Sequence, residues 1–168
     1  MHRHLSAFTI IAFTLAACDA RQDQAQLRPS TSNPAPNPPP MSNPSAIIIT
    51  WVGPSDRPNP PTIFWAEKAA LDGASNWIAQ RDKSPIRPTP VETGADALIC
   101  MAKATPAATS SGPLIEVIAW NGASSAPVRL NQAGSTQFLL AAIGCVGESS
   151  SAAGFLRSLQ TLVTNASR

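Results

Sequence analysis

The chain has 168 residues, of which 13% are charged, with 12 Lys and Arg against 10 Asp and Glu. A nearly balanced charge with no long basic run lacks the cationic face that nucleic-acid binding needs, and that class of partner is excluded. The two histidines are His2 and His4, and the three cysteines are Cys18, Cys100 and Cys145.

The N-terminal stretch MHRHLSAFTIIAFTLAAC joins a short start bearing Arg3, a run of about a dozen mostly apolar residues and a small-residue end. It has the three-part pattern of a secretory signal and falls short of the roughly 20 apolar residues that a membrane span requires. Its last four residues, Leu15-Ala16-Ala17-Cys18, resemble the lipobox of bacterial lipoproteins. The resemblance covers this segment alone. It implies that residues 1–17 are a signal peptide, that Cys18 becomes the acylated first residue, and that two or three acyl chains hold the protein on a membrane without spanning it. Asp19 resembles the retention signal of inner-membrane lipoproteins, so the periplasmic face of the inner membrane is favoured and the outer membrane stays open. An ordinary secretory signal cut near Ala17 or Ala20 is the alternative, and it would leave Cys18 as a spare thiol.

Loss of the signal removes both histidines, which excludes Ser-His-Asp and Cys-His catalysis and histidine metal sites. No Gly-rich phosphate loop is present, and neither a cofactor nor a metal is expected. Residues 18–45, rich in Pro, Asn, Gln and Ser, cannot bury enough apolar surface to fold and read as a tether. As a coil it would span roughly 30 Å, and as extended polyproline about 80 Å.

Residues 46–168 have the size of one domain. AIIITWV, 46–52, reads as a buried strand, followed by the Pro-rich loop GPSDRPNPP. From Thr62 as N-cap, apolar residues at Ile63, Phe64, Ala70, Leu71, Ala74, Trp77 and Ile78 draw one helical stripe to about Arg81, in which Gly73 marks either a division or close packing. Segments 97–104, 113–120, 127–131 and 136–146 read as strands, and a last helix follows Ser149 to Ser151 with its stripe at Ala152, Phe155, Leu156, Leu159, Leu162 and Val163. The order predicts an α+β fold, a mainly antiparallel sheet of about five strands with two helices packed on one face.

With Cys18 acylated, Cys100 and Cys145 remain as an even pair in an oxidising compartment, which predicts a disulfide between them. On this reading it joins the second and fifth strands, which a flat meander would separate.

Three further features bear on function. Glu67 falls in the apolar stripe of the first helix, and Glu116 shares a strand face with Leu114, Ile118 and Trp120. Two glutamates in apolar settings could work as general acid and base in cleaving wall glycan; alternatively each sits at the rim of the core or pairs with an arginine such as Arg129. Trp65, on the polar side of the helix near the Asp56-Arg57 loop, reads as a contact site, because Trp and Arg anchor interfaces. The reading favoured by these residues is a non-enzymatic, membrane-anchored envelope lipoprotein that binds an envelope protein complex or the cell wall, with a carboxylate-dependent wall hydrolase as the alternative.

Overall fold

The computed structural model describes residues 43–55, 59–83, 87–122 and 126–166. The signal segment, Cys18 and the tether up to residue 42 lie outside the described residues, as do Asp56 and Arg57.

Five strands, β1 (Ala46–Trp51), β2 (Thr62–Trp65), β3 (Thr89–Glu92), β4 (Ile115–Trp120) and β5 (Val128–Leu130), form one sheet in the order β3-β2-β1-β4-β5. β1 is central and antiparallel to both β2 and β4, β4 is antiparallel to β5, and β2 and β3 run parallel. Among the described residues four helices accompany the sheet: α1 (Lys68–Asp82), α2 (Ala95–Ala104), α3 (Gln132–Val146) and α4 (Ser151–Asn165).

The fold is thus α+β with five strands, but the sheet is mixed and the helices cover both of its faces rather than one. The central strand explains why. All of Ala46 to Ile49 is buried, so a pleated strand whose side chains alternate must be covered on both sides. Ile47 and Ile49 join Phe64, Ile115, Val117 and Leu130 beneath α2, α3 and α4, which contribute Leu98, Met101, Phe138, Leu139 and Leu156. Ala46 and Ile48 join Ile63, Ile118 and Trp120 beneath α1, which contributes Ala70, Ala74 and Ile78.

The helix expected from Thr62 divides in two. Thr62–Trp65 is strand β2, paired with Ile49 to Ala46, and α1 begins only at Lys68. Ile63 and Phe64 point to opposite faces, one into each cluster, which a strand permits and a single helical stripe does not. Segments 97–104 and 136–146, expected as strands, lie in α2 and α3. In α2 the buried residues Leu98, Met101 and Ala102 stand at i, i+3 and i+4. α3 is started by Asn131, whose side chain accepts a hydrogen bond from the Gly134 N–H at 3.1 Å. Gly144 has open space where a Cβ would stand and costs α3 only about 1 kcal/mol of propensity. Strand β3 was not anticipated.

Gly73 marks close packing. A Cβ there would come within 2.5 Å of the Trp120 ring, so α1 seats against the sheet only because position 73 has no side chain. Both sheet edges are closed to further strands. Pro90 removes a donor from β3, and on β5 the Thr109 N–H donates to the Arg129 carbonyl at 2.8 Å.

Cys100 and Cys145 form a disulfide, with Cα atoms 5.6 Å apart. It joins α2 to α3 on the outer surface of the helical layer, not two strands. No reordering of strands is needed for it.

Candidate functional site at the carboxyl ends of two parallel strands

Strands β2 and β3 are the one parallel pair of the sheet, and their successors leave in opposite directions. After β2 the chain passes to α1 on one face, and after β3 it passes to α2 on the other. Adjacent parallel strands whose following helices diverge leave a crevice at their carboxyl ends, the place where open sheets with helices on both faces commonly bind ligands. Such a depression is present, open and of about 460 Å³, lined by Ala66, Glu67, Glu92, Thr93, Gly94 and Ala95.

Its floor is held by Thr93, whose N–H donates to the Trp65 carbonyl at 2.7 Å and whose hydroxyl donates to the Val91 carbonyl at 3.3 Å. Its walls are two helix starts. Glu67 is the N-cap residue of α1 and Gly94 that of α2, and neither cap bonds through a side chain. Helix N-termini present unpaired N–H groups and about half a positive charge each, while Glu67 and Glu92 set exposed carboxylates beside them. Donors and acceptors therefore face the same space, an arrangement that complements a hydroxyl-rich or zwitterionic group better than a simple anion.

Of the residues singled out from sequence, only Glu67 reaches this crevice, and it does so as an exposed helix cap, outside the apolar stripe. Glu116 lies elsewhere. It is 3% exposed on the α1 side of β4, where Arg81 Nη1 donates to its Oε1 at 2.6 Å and Arg129 Nε donates to its Oε2 at 3.2 Å. Arg81 also bonds Asp82 and lies 5.2 Å from the Trp77 ring centroid. Burial disfavours the charge on Arg81, but its bonds to Asp82 and Glu116 and their charges outweigh this and raise its pKa. The arginine pairing weighed for Glu116 is the one formed, with Arg81 added to Arg129.

Glu67 and Glu116 therefore mark opposite ends of α1. The 15 residues of that helix span roughly 22 Å, whereas a glycan-cleaving pair must lie within about 10 Å in one cleft. The structure does not bring the two glutamates together.

Trp65 ends β2, with its side chain packed on the α1-side cluster, so it is not an exposed helical residue. Asp56 and Arg57, named with it as a contact site, lie outside the described residues. Glu92, Thr93, Gly94 and Ala95 were missed in the sequence. Their signal was present in ETGAD, a glycine at a helix start with Asp96 in the first turn, which is a strand-to-helix transition once α2 is known to be a helix.

Among the described residues no group of three or more His, Cys, Asp or Glu could hold a metal ion, and no helix is long and apolar enough to cross a membrane. No family model, curated protein or solved structure matches the chain.

Proposed function

We propose that this protein is a membrane-anchored envelope lipoprotein whose domain acts as a binding or accessory module for an envelope protein complex or the cell wall. The observation that carries the binding role is the crevice between β2 and β3, where two helix starts and two carboxylates converge on open space. Its position suits a tethered domain. The chain enters β1 at Ala46, whose register partner on β2 is Trp65, so the tether joins the domain at the crevice end of the sheet. Ser45 N–H donates to the Trp120 carbonyl at 2.8 Å, which ties that entry point to β4. Supporting the anchor are the lipobox-like residues Leu15 to Cys18 and the Pro-rich stretch after them.

Two measurements test the reading. Metabolic labelling with a fatty acid should mark the full chain and fail to mark Cys18→Ser, and labelling of both would sink the anchor. Titration of solubilised wall fragments into the full chain, followed by amide chemical shifts, should move Thr93 to Ala95 first. Shifts confined to other surfaces would remove the crevice from the binding role.

A further inference from the structure

Most charged side chains among the described residues are sorted along the strand axis. At the crevice end stand Glu67, Asp72, Glu92 and Asp96, with Lys68 paired to Asp72, while Glu148 and Arg157, which donates to the Glu148 carbonyl at 2.8 Å, balance each other where α3 gives way to α4. The opposite end holds five cations. Arg81 and Lys83 close α1, Arg87 precedes β3, Lys103 lies in the last turn of α2 and Arg129 is on β5. Among the described residues two carboxylates oppose them, Asp82 and the buried Glu116. Complementing helix dipoles explains Arg81 and Lys103, but Arg87 and Arg129 belong to no helix.

The basic end also carries apolar and aromatic surface. Val52 is 40% exposed and stands two residues beyond Thr50, the register partner of Glu116. Arg81, held by Glu116, lies over the ring of the half-buried Trp77. Arg129 is 63% exposed and turns its Nε to Glu116, which fixes the guanidinium. Arginine and tryptophan are the usual anchors of a protein interface, and an exposed aliphatic side chain adds apolar area for a partner to cover. The described chain enters the sheet at the other end, at Ala46.

We propose that the basic end of the domain is a docking surface for a protein partner with an acidic face, Val52 and the Trp77–Arg81 pair forming its centre and the surrounding cations its rim. The inference rests on the binding-module reading and adds the surface and the partner's chemistry. Rim charges accelerate and select the encounter, while the apolar centre separates a protein from a simple polyanion.

The test uses the purified full chain in detergent and two peptides of equal negative charge, a glutamate homopolymer and an alternating Glu-Leu peptide. The alternating peptide should bind the more tightly, by about tenfold, and its binding should weaken with salt. The double variant Arg87→Glu, Lys103→Glu should weaken both peptides by about tenfold or more, Val52→Ser should remove the advantage of the alternating peptide, and Asp72→Asn at the far end, outside the crevice lining, should change neither by more than about twofold. Binding to neither peptide overturns the proposal. So does equal binding of dextran sulfate or anionic vesicles, which would make the end a general polyanion or membrane surface, and so does salt-sensitive self-association, which would make a second copy the occupant. None of these arms involves Cys18, so failed acyl labelling would refute the anchor without touching this surface, and the reverse holds.

Discussion

Reducing the Cys100–Cys145 bridge should lower stability without dismantling the fold. The cysteines are 45 residues apart in sequence, and closing a loop of that length removes about 4 kcal/mol of unfolded-chain entropy at room temperature. A domain of about 120 residues unfolds with an entropy near 0.25 kcal/mol/K, so the melting temperature should fall by about 15 °C. The native helices should persist, because the bridge is on the surface while Leu98, Met101, Phe138, Leu139 and Ala142 pack beneath it in the core. The assay is far-UV circular dichroism of the full chain, melted with and without a phosphine reductant and compared with the Cys100→Ser, Cys145→Ser variant, alkylation and mass spectrometry establishing the thiol state. A fall of less than about 4 °C would refute the loop-entropy argument. Loss of helical signal on reduction at room temperature would refute the claim that the core alone holds α2 against α3.

Glycine substitutions should separate close packing from propensity: Gly73→Ala, driven against the Trp120 ring, should lose about 1 kcal/mol net in denaturant titration, whereas Gly144→Ala, facing open space, should gain about 0.5–1 kcal/mol. Opposite signs are the test, and equal ones would break it. Glu116→Ala strands Arg81 beside Trp77 and should cost about 2 kcal/mol, while Arg129→Ala, at 63% exposure, should cost under about 1 kcal/mol. A larger loss at Arg129 would reverse the roles assigned to the two arginines. Asn131→Ala removes the bond to Gly134 N–H and should cost about 1 kcal/mol, with faster hydrogen exchange confined to the first turn of α3.

Much of the local structure was legible in the chain. The isoleucine run of β1, the β4 segment ending before Asn121-Gly122, and the α4 stripe with Ala152, Leu156 and Val163 buried all lie where the side-chain pattern placed them. What escaped were short apolar segments. Thr62–Trp65 is only 4 residues long, and its Ile63 and Phe64 fell by chance on the helical phase of Ala70 and Ala74, so one stripe was drawn through a strand and a helix. The reading of Glu67 and Trp65 fell with that stripe. α2 and α3 are apolar around most of their circumference, and such runs have no period to distinguish helix from strand.

Sequence by itself determined composition and local order: a near-neutral domain, its two domain cysteines as partners, and turns and caps written in Gly, Pro and Asn. Those are properties of neighbouring residues, and chain connectivity supplies the neighbours. Tertiary structure alone decided that helices cover both faces, that β2 and β3 run parallel, and that Glu92 rather than Glu116 stands by Glu67. It also sorted the charges to the two ends. Each depends on which strands lie side by side, and that is settled by how the buried faces of distant segments fit together.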